Sequence, residues 1–242
     1  MNYYYLCIMN KQFERTAALL GNESLELLSQ SHVAVFGVGG VGGYVCEVLA
    51  RSGVGELSLF DKDCVDITNL NRQIIALHST VGQPKVEVMA QRIADINPDC
   101  HVHARHMFYL PENADEVDLT QFSYIVDCID NVTAKLELIR RSHRLGVPII
   151  SSMGAANKLD ATGFRVSDLS KTQVDPLARV LRQKLRREGI HHLRVVYSEE
   201  VPLPSSVTDA SNGRPVPASN AWVPPAAGLI IGGEVVKDLI KA

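Results

Sequence analysis

The sequence predicts an α/β protein: a Rossmann-like, mostly parallel sheet with flanking helices, followed by a smaller C-terminal extension with antiparallel strands and helices. Up to residue 152, short apolar stretches typical of buried strands alternate with helical stretches. Such alternation indicates parallel strands joined by right-handed crossovers. A glycine-rich turn follows the first predicted strand, and beyond residue 152 the alternation stops. With 242 residues, 46% of them hydrophobic, the chain is long enough for one substantial core.

The core is predicted to occupy residues 11–152. It begins with two short helices in residues 11–30, which are separated at Gly21. Pro84 suits a first helical turn, where no backbone N–H is needed, and the proline after Asn97 ends that helix. The predicted core strands cover residues 32–37, 55–61, 100–106, 122–130 and 147–152. The predicted core helices cover residues 40–52, the stretch from Pro84 to about Asn97, and residues 132–145.

Residues 153–242 form the predicted extension. The stretch "KLDATGFRVSDLS" fits one or two antiparallel strands. Residues 175–189 predict a helix with Asp175 as its N-cap, Pro176 in its first turn and Gly189 at its end. Residues 201–225 are rich in proline and predict a loop, and a last helix is predicted over about 226–241. We expect core and extension to form a single domain.

Composition and charge exclude several classes of protein. The net charge of −3 at pH 7 excludes a polycation, so any nucleic-acid contact must come from a local basic patch. None of the five cysteines forms a C-x-x-C pair, so no zinc is expected. The opening "MNYYYLCIMN" lacks the basic region of a signal peptide, and "AAGLIIGGEVVKDLI" is too short and too charged to span a bilayer. We therefore expect a cytoplasmic protein without a membrane segment.

The glycine-rich turn "GVGGVGG" predicts an anion-binding loop. Gly37, Gly39 and Gly42 satisfy G-x-G-x-x-G directly between a strand and a helix, so that backbone N–H groups, including that of Gly40, can hold a phosphate. Asp61 ends the next predicted strand, where a carboxylate can accept hydrogen bonds from ribose hydroxyls. This motif alone leaves NAD, FAD and ATP open.

Two cations favour a triphosphate over a dinucleotide. Arg72 in "NLNRQ" and Lys85 in "VGQPK" lie 13 residues apart on either side of a connecting segment. Taken alone, each cation is typical of a solvated surface. Beside a phosphate loop, the pair suits the leaving pyrophosphate of a reaction at the α-phosphorus of ATP.

The motifs "GVGGVGG", "FDKDCVDITNLNRQ", "VGQPK" and "DCIDN", in this order, resemble the ubiquitin-activating-enzyme-like adenylating superfamily over residues 11–152. The resemblance implies ATP and Mg²⁺ as cofactors and a homodimer. It assigns Asp61 to the ribose, and Asp63 either to the reaction centre or to a turn. The roles that it implies for the other residues are phosphate handling by Asn69, Arg72 and Lys85, Mg²⁺ ligation by Asp130, and insertion of Arg15 into the partner subunit's site.

The second half of the chain resembles the tRNA threonylcarbamoyladenosine dehydratase branch of that superfamily. The branch is indicated by "VSDLSKTQVDPLARVLRQKLRREGI" and "VVYSEE". The chain has no cysteine after Cys128, so it lacks the zinc ligands and the nucleophilic cysteine of sulfur-carrier activators. The resemblance implies ATP-dependent cyclisation of threonylcarbamoyladenosine on tRNA through a carboxyl adenylate, with residues 153–242 facing the tRNA and supporting the dimer. A sulfur-relay protein is a possible partner. The candidate tRNA contacts are Arg179, Arg182, Lys184, Arg186 and Arg187.

Three alternatives stay open at this point. The chain could adenylate the C-terminus of a ubiquitin-like sulfur-carrier protein, in which case pyrophosphate exchange would depend on that protein rather than on tRNA. It could be an NAD-dependent dehydrogenase, against which Arg72, Lys85 and Asp130 argue. It could also be a non-catalytic scaffold that binds tRNA and releases no pyrophosphate. The basic helix, for its part, could be a solvated surface.

Overall fold

A computed structural model describes residues 11–205, 207–208 and 216–241. The opening decapeptide and part of the proline-rich segment lie outside the described residues. The strands are β1 (His32–Phe36), β2 (Glu56–Asp61), β3 (His101–His106), β4 (Tyr124–Asp127), β5 (Ile149–Ser152), β6 (Phe164–Asp168) and β7 (Arg194–Ser198). The helices are α1 (Glu14–Leu20), α2 (Asn22–Ser29), α3 (Gly42–Ser52), α4 (Lys85–Ile96), α5 (Val132–Leu145), α6 (Pro176–Arg187) and α7 (Val223–Leu239).

The strands form one sheet in the order β3-β2-β1-β4-β5-β7-β6. Its first six strands are parallel to their neighbours, and only β6 pairs antiparallel, with β7. The predicted fold class is therefore confirmed. The extension adds one antiparallel strand pair, β6 and β7, whose connection contains α6, and β7 also continues the parallel sheet beside β5.

Helices cover both faces of the sheet, which explains why its central strands read as continuous apolar stretches. One face packs Val45 and Leu49 of α3 against Ile231 and Val235 of α7. The other face packs Phe36 and neighbouring aromatic residues under α5. Within the described residues, no helix is long and apolar enough to cross a membrane.

Several predicted boundaries were wrong, and the differences have physical reasons. The predicted strand 122–130 ends at Asp127, which leaves Asp130 in the loop that follows. The last helix begins at Val223 rather than near 226, because Pro224 and Pro225 occupy its first turn, where a missing N–H costs no helical hydrogen bond. Pro84 precedes α4 instead of lying inside it.

Candidate nucleotide-binding site

A cleft of about 490 Å³ lies at the carboxyl edge of the parallel strands. It lies next to β1, whose neighbours are β2 on one side and β4 on the other. Open α/β sheets bind ligands at the carboxyl edge where the strand order reverses in this way. The predicted residues that line the cleft are Gly37, Gly39, Gly40, Asp61, Asp63, Asn69, Arg72, Lys85 and Asp130.

The glycine loop turns tightly because side chains are sterically excluded from it. Gly37 has φ of 91°, and a Cβ there would lie 2.6 Å from the carbonyl oxygen of Cys128. A Cβ on Gly42 would lie 1.8 Å from the carbonyl oxygen of Gly37. Gly42 thus contributes by letting α3 begin directly under the loop, and it does not line the cleft.

Asp61 is held in place by backbone donors on both of its carboxylate oxygens. Oδ2 accepts from the N–H of Val38 at 2.7 Å, and Oδ1 accepts from the N–H of Asp63 at 2.9 Å. Each carboxylate oxygen has a further lone pair. Asp61 is therefore oriented at the end of β2 and can accept from the hydroxyls of a ligand in the cleft.

Lys85 is paired with Asp63 at the first turn of α4. Its Nζ donates to Oδ2 of Asp63 at 2.9 Å; the lysine side chain is 7% exposed and the aspartate side chain 51%. Asp63 therefore holds a buried cation at the wall of the cleft. The sequence analysis left Asp63 open between the reaction centre and a turn; its side chain makes this ion pair and lines the cleft.

Arg72 lies beside the glycine loop, with its side chain 3.3 Å from the position of a Cβ on Gly40. Its Nη1 donates to the carbonyl oxygen of Thr68 and to Oδ1 of Asn71. Burial lowers the pKa of Arg72, yet both acceptors are neutral and leave the guanidinium charge uncompensated. Buried Asn69 fixes the preceding turn, because its Oδ1 accepts from the N–H of Asp66 at 3.1 Å.

Asp130 and Arg15 occupy different parts of the molecule. Asp130 follows β4 in an exposed loop and lines the cleft. Its exposed carboxylate is the kind of oxygen ligand that Mg²⁺ takes together with phosphate oxygens. Arg15 is exposed on α1 and is not among the residues that line this cleft.

A fully buried ion pair under the cleft was missed by the sequence analysis. Lys135 of α5 donates from Nζ to Oδ2 of Asp127 at 2.8 Å, to Oγ of Ser151 at 3.1 Å and to the carbonyl oxygen of Ser152 at 3.0 Å. Both charged side chains are 0% exposed. The sequence did contain a signal for this pair. Lys135 lies three residues before Leu138, on the same apolar face of α5 that packs on the core.

A second buried lysine connects the cleft to α6. Lys158 donates from Nζ to the carbonyl oxygen of Gly154, which lines the cleft, at 2.9 Å. The same ammonium lies 3.4 Å from Oδ2 of Asp175, the N-cap of α6. Burial lowers the pKa of Lys158, and Asp175 opposes this shift. The loop after β5 and the start of α6 are thereby fastened together.

Further groups to which the sequence analysis assigned no role also line the cleft. The ammonium of Lys62 lies 4.1 Å from the ring centroid of Phe108. Among the described residues, Oε1 of Gln73 and the hydroxyl of Tyr109 are buried without a hydrogen-bond partner. Burial raises the pKa of Tyr109 to about 12, so this hydroxyl stays protonated and can donate.

The basic residues of α6 separate into two groups. Arg182 is partly buried, and its Nη1 donates to Oγ1 and to the carbonyl oxygen of Thr172. The exposed members are Arg179, Lys184, Arg186 and Arg187. The structure therefore engages Arg182 within the protein and leaves the other four cations on the surface.

The fold and the cleft define an α/β protein with a Rossmann-like nucleotide-binding site. The chain belongs to the ThiF family, because the model of that family matches residues 13–237. It is 48% identical over 244 residues to a tRNA threonylcarbamoyladenosine dehydratase of Bacillus subtilis. The aligned region covers 96% of this chain and 96% of the relative. The family resemblance predicted from the motifs is confirmed.

A solved structure and a more distant relative agree with this assignment. The structure of E. coli tRNA N6-threonylcarbamoyladenosine dehydratase in complex with ATP matches with a TM-score of 0.86 and 35% identity, over 95% of this chain and 94% of that chain. A molybdopterin-synthase adenylyltransferase of Salmonella typhimurium is 38% identical over 144 residues, which are 57% of this chain and 54% of the relative.

Proposed function

We propose that the protein is an ATP-dependent tRNA-modifying enzyme that dehydrates N6-threonylcarbamoyladenosine in the anticodon loop to its cyclic form. The observation that carries this function is the 48% identity with the Bacillus subtilis dehydratase, which extends over 96% of each chain and so includes the extension. The adenylyltransferase relative, by contrast, matches little more than half of either chain. The dehydratase is therefore favoured over adenylation of a sulfur-carrier protein.

The reaction begins at the free carboxylate of the threonylcarbamoyl group. One carboxylate oxygen forms a bond to the α-phosphorus of ATP, the α–β phosphoanhydride bond breaks, and pyrophosphate leaves with the electron pair of that bond. The product is an acyl adenylate. Negative charge accumulates on the leaving pyrophosphate, so cations fixed at that point lower the barrier.

Lys85 and Arg72 are positioned to provide this stabilisation. The first is nearly buried beside Asp63, and the second carries a charge that its neutral partners leave uncompensated. The backbone of the glycine loop holds phosphate oxygens through its N–H groups. Asp61, oriented by Val38 and Asp63, accepts hydrogen bonds from the ribose.

Asp130 is the residue that would hold Mg²⁺. Its carboxylate is exposed at the cleft, and Mg²⁺ is commonly bound by one or two carboxylates plus substrate phosphates. When bound, this ion neutralises charge on the phosphates. The other cleft residues orient the nucleotide.

Ring closure needs no nucleophile from the enzyme. A nitrogen of the same threonylcarbamoyl group attacks the activated carbonyl, loses its proton, and AMP leaves with the carboxyl oxygen, so the RNA loses one water in total. The reaction is intramolecular, and positioning alone supplies much of the rate. Cys128 lines the cleft, but burial raises its pKa to about 12, so its thiol stays protonated and is unsuited to covalent catalysis.

The exposed cations of α6 are proposed to contact the RNA backbone. Arg179, Lys184, Arg186 and Arg187 concentrate positive charge on a protein with a net charge of −3. Phosphate contacts of this kind position an RNA, while a splayed-out loop nucleotide is enclosed by the protein. The ammonium of Lys158 between Gly154 and Asp175 supports a fixed position of α6 relative to the cleft.

We also propose a homodimer in which Arg15 enters the site of the partner subunit. Its exposed position on α1, away from the cleft of its own chain, supports action across subunits. Mixing Arg15→Ala protein with Asp130→Ala protein should restore activity, since mixed dimers regain one intact site; mixtures as inactive as their components would contradict this. A cytoplasmic location and a sulfur-relay partner are further proposals, to be checked by cell fractionation and by co-purification.

The test of the function combines the purified protein, ATP, Mg²⁺ and tRNA that carries threonylcarbamoyladenosine. We expect mass spectrometry of the gently digested RNA to show loss of one water, with equal amounts of AMP and pyrophosphate. Asp130→Ala should abolish both, whereas Asp95→Ala, at an exposed position of α4, should abolish neither. An unchanged nucleoside would refute the proposal, and pyrophosphate release that requires a sulfur-carrier protein would establish the alternative.

A further inference from the structure

Three potential metal ligands converge at the amino edge of the sheet, opposite the cleft. They are His32 on β1, Glu56 on β2 and His103 on β3, and one ligand atom of each lies within 4.8 Å of the other two. Oε1 of Glu56 lies 2.6 Å from Nε2 of His103, and Oε2 lies 3.7 Å from Nδ1 of His32. The two oxygens of one carboxylate therefore face two imidazoles. We refer to these residues as the amino-edge triad.

The sheet itself fixes this convergence. His32 pairs with Glu56 and Ser58 pairs with His103 in the parallel register, so all four side chains project from the same face. From Glu56 to Asp61, β2 extends for five residue steps, or about 16 Å. The amino-edge triad is thus separate from the nucleotide cleft.

The buried hydroxyl of Ser58 orients His32 by contacting the ring nitrogen Nε2. Its Nε2 lies 2.9 Å from Oγ of Ser58, which is 5% exposed, and its ring packs edge-on against Phe122 at 4.8 Å. Nδ1 is thereby directed at Glu56. A hydrogen bond on the second ring nitrogen is the usual support of a histidine that binds a metal.

Charge and accessibility also suit a cation. The carboxylate of Glu56 places a negative charge between the two imidazoles. The side chains of His103 and Glu56 are 49% and 39% exposed, which leaves an entry path and room for water as an additional ligand. Two imidazoles and one carboxylate are a donor set of zinc-type ions.

We propose that His32, Glu56 and His103 bind one divalent transition-metal cation of the zinc type. Bond lengths of about 2.0 Å in tetrahedral geometry place ligand atoms about 3.3 Å apart. Binding therefore separates Nε2 of His103 from the Glu56 carboxylate, now 2.6 Å away, and draws Nδ1 of His32, now 3.7 Å away, closer. The cation connects the edge strand β3 to β2 and β1. The sequence analysis expected no zinc because the five cysteines form no C-x-x-C pair. The site proposed here uses histidine and glutamate ligands instead.

The test is a calorimetric titration of untagged, chelator-treated protein with Zn²⁺ alone, followed by visible absorption spectra with Co²⁺. We expect one ion per chain and a rise in Tm with Zn²⁺ concentration, since a cation that binds the folded state stabilises it. His103→Ala should weaken binding by at least about 100-fold. Ser58→Ala, which removes no ligand, should weaken it by about 10- to 100-fold.

His78→Ala is the matched control, because His78 is exposed and lies outside the amino-edge triad. Circular dichroism without metal should show that each variant is folded, and His103 is exposed enough for this to be expected. Equal Zn²⁺ affinity in the parent, His103→Ala and Ser58→Ala proteins would overturn the proposal. An equal loss in His78→Ala would do the same and would indicate an adventitious ion only.

Discussion

Nζ of Lys85 lies 2.9 Å from Oδ2 of Asp63, and the two side chains differ greatly in exposure, at 7% and 51%. The ammonium is held inside the wall of the cleft while its carboxylate partner is half open to solvent. A pyrophosphate group in the cleft can therefore compete with Asp63 for a cation that is already oriented. Such preorganisation lowers the reorganisation needed when charge develops on the leaving group.

Lys85→Ala should reduce ATP-dependent AMP formation by about 10²- to 10³-fold, the usual effect of losing one preorganised charge-stabilising donor. Initial rates with saturating modified tRNA measure this effect. Arg144→Ala, which removes an exposed cation of α5, serves as the control and should retain the parental rate. Parental activity of Lys85→Ala would exclude Lys85 from the chemistry.

Gly42→Ala should abolish ATP binding or folding, because the added Cβ would lie 1.8 Å from the carbonyl oxygen of Gly37. Gly233→Ala is a matched substitution in α7, where a Cβ would meet no atom within 4 Å. It should stabilise the protein by about 0.5–1 kcal/mol. Urea unfolding and ATP titration of both variants measure the difference, and an unperturbed Gly42→Ala protein would show that the loop can rearrange.

The parts of the fold that were predictable are those encoded locally. Alternating strands and helices, the glycine loop and the motif residues around Arg72 and Lys85 each have their signal within a short stretch. The ion pair of Asp127 and Lys135 and the hydrogen bonds of Arg182 depend instead on elements brought together by the sheet. From sequence alone, a charged residue is predicted to be exposed unless its partner is known. The partners of Lys135 and Arg182 lie in other elements or in loops.

The same limitation applies to the lining of the cleft. Its far wall includes Phe108, Tyr109 and the loop after β5, none of which belongs to a recognisable motif. These residues reach the cleft because parallel strands all end at one edge. The sequence thus predicted the side of the cleft lined by the glycine loop, Arg72 and Lys85 better than the remainder.

Glu47 should make stability depend on pH in the acid range. Burial raises the pKa of Glu47, but hydrogen bonds from Arg92 and Arg51 outweigh this and leave the pKa below its ordinary value of 4.5. A lowered carboxyl pKa gives stability that is present above the unfolded value and is lost as the pH falls through the folded value. Glu47→Gln should therefore cost about 2 kcal/mol at pH 7 and less at pH 3, which lies below the ordinary pKa of 4.5.

Urea unfolding at the two pH values tests this dependence. Glu87→Gln, an exposed carboxyl on α4, is the control and should change the free energy of unfolding by less than about 0.5 kcal/mol at either pH. A loss that is equally large at pH 3 and pH 7 would show that Glu47 contributes through packing rather than through its charge.

Arg186→Ala and Arg187→Ala should weaken tRNA binding and make it less sensitive to salt. Each removes an exposed cation of α6, and the loss of one phosphate contact reduces the slope of log affinity against log salt concentration by roughly one. Arg182→Ala should instead lower the free energy of unfolding, because its guanidinium holds Thr172 and Leu169. Filter binding of one tRNA at several salt concentrations, with Arg144→Ala as control, separates the two effects. If the slopes of Arg186→Ala and Arg187→Ala equal that of the parent, the RNA lies on another face of the protein.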